Sequence, residues 1–244
     1  TVYQNACAYG VKIQNTSSYC NIEQIISIGT TADHGVKLHG TDASNRVNHI
    51  NIRRIITKSN YYAGFMFEHA SDITIGSINS ELDSTEGTSY SAISLGEGTR
   101  ININLITCNS SGNGGVRGEA DLSYLSIGQL IVRNAGQVGT AANFTLLSDY
   151  VNIGSITTID DQTGSETVTR GVNITSDCGG CLIGQIIAQG SFTEFAVATD
   201  PAAVCQIGQQ LVTTTLYGVP SGGTTGQVLT KTSNTDYDTE WATP

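Results

Sequence analysis

Pairs of apolar residues two positions apart, with Asn, Thr or Ser between them, return along this chain as one short phrase. Its clearest form is Asp72-Ile73-Thr74-Ile75-Gly76-Ser77-Ile78-Asn79, and the same order recurs around Ile127, Ile153, Ile183 and Ile207. Looser copies without the glycine centre on Ile22, Ile52 and Ile103. From one central isoleucine to the next the steps are 30, 23, 28, 24, 26, 30 and 24 residues, a range narrow enough to mark a repeat protein.

The local period says which kind of repeat. Alternation of Ile73 with Ile75, or of Val151 with Ile153, across a polar residue is the period-2 signal of a strand with one buried face. The glycine that follows suits a sharp corner, where the backbone takes a conformation that a side chain resists. Three positions after the central residue another isoleucine or leucine points back inside. No stretch carries a helical period, which disfavours repeats that include a helix.

A second strand family interleaves with the first, as in Gly10-Val11-Lys12-Ile13, Gly35-Val36-Lys37-Leu38, Gly64-Phe65-Met66-Phe67 and Gly171-Val172-Asn173-Ile174. Each lap of chain thus contributes two strands and a variable connection rich in Gly, Ser, Thr and Asn. When laps are stacked, like residues form columns. One inward column reads Cys20, Ile50, Ile73, Ile101, Leu125, Val151, Cys181 and Cys205; the residues that follow these, from Asn21 and Asn51 to Gln206, are mostly polar and face out. Strands paired with their own copies one lap later make a single-stranded parallel β-helix of about eight rungs over residues 1–212. The crossover rule for parallel strands gives it a right hand. Residues 213–223 are a linker of Thr, Gly, Ser and Pro, and residues 224–244 form a separate C-terminal segment.

Composition narrows the function. A net charge of -10 argues against a nucleic-acid partner or an anionic membrane surface, since phosphates require a positive footprint. No apolar run approaches the ~18 residues needed to cross a bilayer, so membrane insertion is not expected. The first residue is not Met, and Thr1 is read as a position inside a longer natural chain. Cys178-Gly179-Gly180-Cys181 has the spacing of a metal or redox pair, but no second pair and no suitable histidines accompany it; neither a metal nor any other cofactor is expected. The cysteines read as core or turn thiols, and a disulfide between adjacent laps, as for Cys181 and Cys205, depends on side-chain geometry.

The tail carries the one family resemblance. Its run Thr225-Gly226-Gln227-Val228-Leu229-Thr230-Lys231, followed by Asp236-Tyr237-Asp238 and Glu240-Trp241, resembles a short motif of bacteriophage tail fibres and tailspikes, and the β-helix before it is similar in kind to tailspike shafts. The resemblance implies a virion protein of the phage tail that acts outside the cell on the bacterial surface. It implies a homotrimer whose partner is a surface polysaccharide of the host. Val228, Leu229, Tyr237 and Trp241 are the apolar residues available for an oligomerisation knob; the alternative is that they fold back over the last lap. Three functions stand on this reading: a receptor binder, a polysaccharide depolymerase, and a structural shaft leading to a distal tip.

Candidate chemistry gathers in the outward columns of the second strand family. One holds Lys12, Lys37, Met66, Ser94 and Arg117; the next holds Gln14, His39, Glu68, Gly96 with Glu97 beside it, and Glu119. Four successive laps therefore place His39, Glu68, Glu97 and Glu119 on nearly one line, flanked by Lys37 and Arg117. Carboxylates on adjacent and alternate laps would stand about 5 Å and 10 Å apart, which brackets the separations used by glycosidases. The catalytic reading takes His39 and the three glutamates as acid and base; the other reading takes the same face as a passive or sugar-binding surface. Tyr61, Tyr62, Tyr90 and Tyr124 are candidates for stacking on sugar rings. Asp160-Asp161 reads as turn chemistry, with cation binding or a part in an active site as the alternative; Asp33-His34 reads as a polar pair in a loop, with an acid-base pair as the alternative; and the acidic pair with Gly-His-Gly of pectinases is absent as a set.

Overall fold

The computed structural model describes residues 1–6, 8, 10–14, 17–84, 91–109, 114–119, 121–135, 142–162, 168–190, 192, 194–214, 228–231 and 239–242, and among these there is no helix. Contacts divide the chain into two units, Thr1–Thr213 and Thr214–Pro244. In the first unit long and short strands alternate and are numbered in chain order. The long ones are β1 (Val2–Asn5, a short first member), β3 (Ser18–Ile28), β5 (Val47–Lys58), β7 (Ala70–Glu81), β9 (Gly98–Asn109), β11 (Leu122–Arg133), β13 (Asp149–Asp160), β15 (Cys181–Gly190) and β17 (Cys205–Thr214). The short ones are β2 (Val11–Gln14), β4 (Val36–His39), β6 (Phe65–Glu68), β8 (Ser91–Leu95), β10 (Gly114–Gly118), β12 (Ala142–Leu146), β14 (Arg170–Ile174) and β16 (Phe195–Thr199).

Odd-numbered strands form one sheet and even-numbered strands another, each in unbroken order along the chain. Every strand lies parallel to its counterpart one lap later: Ile22 pairs with Ile52, Ile52 with Ile75, Ile75 with Ile103, and Ile127 with Ile153. Parallel pairing across connections of two dozen residues makes a β-solenoid that winds seven times between β3 and β17. All eight copies of the repeated phrase fall in one sheet, because a slip of one residue would turn each isoleucine from the core to solvent. β1 is an additional strand that the repeat did not signal. It pairs only with the end of β3, Val2 opposite Ile25, and so lacks the alternating half of the phrase.

Two columns inside the winding are wholly apolar over five laps. Ile50, Ile73, Ile101, Leu125 and Val151 stack in register and are at most 2% exposed, as are Ile52, Ile75, Ile103, Ile127 and Ile153 beside them. The short strands contribute Leu38, Phe65, Phe67, Ile93, Leu95, Phe144 and Leu146 to the same core. Each such side chain stabilises the fold by roughly 1.5–3 kcal/mol. Cys181 and Cys205 at the end of the first column are joined by a disulfide with Cα atoms 4.5 Å apart.

Two local features differ from the sequence expectation. The glycines of the phrase lie inside the long strands and not at left-handed corners. At the later copies close approach takes the place of a turn as the reason for glycine: a Cβ on Gly184 would sit 2.5 Å from the Gly154 carbonyl oxygen, and one on Gly208 equally close to that of Gly184. Left-handed backbone falls instead on the residue before the first inward side chain, in Tyr19, His49, Asp72, Arg100, Tyr124 and Tyr150, with φ from 51° to 56°. Such a conformation costs a non-glycine residue roughly 1–2 kcal/mol.

A polar knot closes one corner of the core. The Asp83 carboxylate is fully buried and accepts four hydrogen bonds: from Thr57 Oγ1 (2.5 Å), Ser80 Oγ (2.6 Å), the Asn60 amide N (2.9 Å) and Asn60 Nδ2 (2.8 Å). Gly64 presses on this knot. A Cβ there would lie 2.6 Å from Asp83 Cγ and closer still to Asp83 Oδ2 and Thr57 Oγ1, none of which has room to move. Gly64→Ala is expected to lower stability by about 2–3 kcal/mol, as overpacking does. A thermal melt shows this as a drop in Tm, and an unchanged Tm would mean that the knot yields.

In the second unit the described residues form a hairpin of β18 (Val228–Lys231) and β19 (Thr239–Ala242), antiparallel, with Leu229 opposite Trp241 and Val228 opposite Ala242. Tyr237 lies outside the described residues, as do positions 215–223 of the linker; positions 213 and 214 continue β17.

Candidate functional site

The outward residues of the short strands stand in the columns that the alternation predicts. Lys12, Lys37, Met66 and Ser94 are in register, and Ser94 is followed by Arg117 and Thr145. In the next column Gln14, His39 and Glu68 are in register. Gly96 N then donates to Phe67 O and Glu119 N to Leu95 O, which carries the column through Gly96 to Glu119. Glu97, one residue past Gly96, reaches the same face. Glu68, Glu97 and Glu119 line one recess of about 400 Å³, together with His69, Arg117 and Asp121.

Each of the three glutamates faces a cation or histidine. Glu68 Oε2 is 3.2 Å from Lys37 Nζ and 3.1 Å from His39 Nδ1. Glu97 Oε1 receives a hydrogen bond from Arg46 Nη2 at 2.7 Å, while His69 Nδ1 lies 2.7 Å from Oε2, off the line of a hydrogen bond. Glu119 Oε1 is 3.0 Å from Arg117 Nε, and Ser94 Oγ makes a long contact of 3.5 Å to the same oxygen. Part-burial would by itself raise the Glu68 carboxyl. The hydrogen bond and charge of Lys37, with His39 beside it, outweigh that and hold its pKa below the usual range. Burial and then Lys37 push the His39 imidazole down, although Glu68 pulls it up.

This arrangement presents carboxyl oxygens and nitrogen donors side by side along three laps. At Glu68 the neighbouring Lys37 and His39 work against the raised carboxyl that a general acid requires. What the arrangement suits is a ligand with many hydroxyls, since a carboxylate accepts and a guanidinium donates at fixed spacing. Arg46 is held for this by the loop that precedes β5: its Nε donates to Ala43 O (3.0 Å), and Asp42 Oδ1 ties the turn by accepting from the amides of Ser44 (2.7 Å) and Asn45 (2.9 Å).

The other candidates lie elsewhere. Tyr61 and Tyr62 sit in the turn after β5, half-buried, with centroids 5.0 Å apart and Tyr62 against His34; neither lines the recess. Tyr90 is outside the described residues. Tyr124 projects from β11 and stacks on Tyr150. Asp33 Oδ1 accepts from the His34 amide (2.8 Å), and Asp160 accepts from the Val168 (3.1 Å) and Gln162 (3.3 Å) amides; Asp161 is paired with Arg133. Among the described residues no group of three or more His, Cys, Asp or Glu side chains is placed to hold a metal ion. Arg46, His69 and Asp121 are site residues that the sequence columns missed. All three lie in connections, whose lengths do not repeat.

Compared with known proteins, the chain matches no family model, no curated protein and no solved structure.

Proposed function

We propose that this chain is the shaft and glycan-binding part of a phage tail fibre or tailspike, and that the recess around Glu68, Glu97 and Glu119 holds a bacterial surface polysaccharide. The observation that carries the reading is the set of three glutamates, each with its cation, on three laps around one recess. A polymer lying along the winding meets a similar pair every strand spacing, about 4.8 Å. The tail motif 225–241 supports the viral assignment, and with it the extracellular site of action. The right hand of the winding follows from the crossover rule for parallel strands.

The homotrimer has support of its own. A hairpin of two four-residue strands is marginal in water unless something completes it, and β18 with β19 is such a hairpin. Two further copies, each bringing Val228, Leu229 and Trp241, would complete it.

The test is to incubate the purified protein with capsular polysaccharides from many bacterial strains, then measure both retention and chain length. Retention of at least one polymer at unchanged length is expected. Replacing both members of one pair, Arg117→Ala with Glu119→Gln, leaves no unpaired charge and should weaken that retention by about tenfold or more. Shortened chains would instead establish a depolymerase, and no retention of any polymer would leave a structural shaft.

A further inference from the structure

Away from the recess, the left-handed column of the long strands carries side chains that pair two by two up the winding. Tyr19 stacks on His49 with ring centroids 4.7 Å apart and planes 15° from parallel; Tyr124 stacks on Tyr150 at 5.3 Å and 11°. Between them Arg100 forks onto Asp72, Nε to Oδ1 at 2.6 Å and Nη2 to Oδ2 at 2.7 Å. One flat group per lap therefore fits this column at the spacing of the strands.

The next residue in register is Gly180, where the left-handed backbone ends and no side chain stands. Val151 N donates to Gly180 O (3.0 Å) and Cys181 N to Val204 O (2.9 Å), so Tyr150, Gly180 and Val204 follow one another in register. A Cβ on Gly180 would meet nothing nearer than 3.9 Å, and its first neighbour there is the Tyr150 ring. One face of that ring is covered by Tyr124 and the other looks onto the vacancy. At this same lap the neighbouring outward column, polar from Asn21 through Asn152 to Gln206, is broken by Leu182, which is 46% exposed; Val204, above the gap, is 63% exposed. Together these residues surround a recess of about 670 Å³ with the disulfide at its base.

We propose that this gap is a slot for one uncharged pyranose ring, a second glycan contact distinct from the carboxylate recess. The ring takes the place of the missing side chain, its C–H face on Tyr150 and its far side toward Val204 and Leu182. Asn152 and Gln206, which border the slot, offer amide donors and acceptors to hydroxyls at the ring edge. The lining contains no Lys, Arg or His and so offers no cation to a phosphate or sulfate, and those two amides favour a sugar over an aromatic side chain. The proposal leans on the receptor reading only for the natural source of the sugar.

The experiment titrates the full chain with the methyl glycosides of glucose, galactose, mannose and N-acetylglucosamine, and follows backbone amide resonances. At least one glycoside is expected to shift positions 150, 182 and 204. Gly180→Tyr, which extends the stack with the chain's own ring, should abolish those shifts while its melting curve shows a folded protein; Tyr150→Ala should weaken binding by up to about tenfold, the scale of one stacking contact. Shifts that survive Gly180→Tyr, or no shift with any glycoside, would overturn the slot. So would a response to phenol or indole alone. A glycoside response in a protein that retains no polysaccharide sinks the receptor reading and leaves the slot standing. Polysaccharide retained equally by wild type and Gly180→Tyr, without glycoside shifts, does the reverse.

Discussion

Asp83→Ala is expected to destabilise the solenoid by about 4 kcal/mol, because it strands buried donors on Thr57, Ser80 and Asn60 at one stroke. Asp83→Asn should behave differently. The new amide keeps the shape, its oxygen can accept from Asn60, and the two hydroxyls can turn to accept from its nitrogen. The difference between wild type and Asp83→Asn should also depend on pH. Burial pushes the Asp83 carboxyl up to about 6, against the pull of its four donors. The native state then holds the proton more tightly than the unfolded chain, whose carboxyl titrates near 3.8. The stabilising contribution of this group is therefore full below about pH 3.8, falls between 3.8 and 6, and is gone above 6, about 3 kcal/mol in all. Urea unfolding of both proteins across that window should show Asp83→Asn gaining on wild type by this amount as pH rises. Carboxylates held low by partners, such as Asp72 beside Arg100, act in the opposite direction at lower pH, but they are common to both proteins and cancel. A difference that stays flat with pH would mean that Asp83 is ionised throughout.

The contrast between the knot and the core shows what the sequence makes legible. Ile52, Ile75 and Ile103 could be aligned by eye because an inward strand position repeats its chemistry every lap, and an aligned centre fixes the register of everything within a few residues. That register reaches His39, Glu68 and Glu119, one position beyond the short strands' last inward residues. It does not reach Arg46 or His69, since a connection that changes length from lap to lap has no column. Asp83 was hidden for another reason. It follows Leu82, whose left-handed backbone (φ 54°) marks the strand's exit, and from sequence an acid after a strand reads as solvated turn. The stacked tyrosines are a different case. Tyr19, His49, Asp72, Arg100, Tyr124 and Tyr150 stand one residue before the inward column, so their signal is present in the sequence. Its meaning is not, because alternation alone places no side chain on left-handed backbone and so does not show that these residues stack outward in pairs.

Removing the disulfide with Cys181→Ser and Cys205→Ser together is expected to release the last lap and leave the rest wound. The bond closes a loop of 24 residues, a constraint on the unfolded chain of about 3.5 kcal/mol. Little else holds this lap. In β17 the inward positions Cys205 and Ile207 are only half-buried, Gln210 stands where earlier laps have Ile156 or Ile186, and Leu211 and Val212 are 48% and 43% exposed. Because a solenoid's stability is a sum over laps and their neighbours, the loss should stay local. Hydrogen exchange is expected to show β16 and β17 unprotected in the double variant, with β5 to β13 protected as before. A uniform loss of protection would show instead that the winding unfolds as one unit. The same variant bears on the slot, since Val204 stands at the start of the released lap. If the lap frays, methyl glycoside shifts at positions 150 and 182 should disappear with it, although Tyr150 and Tyr124 remain stacked below.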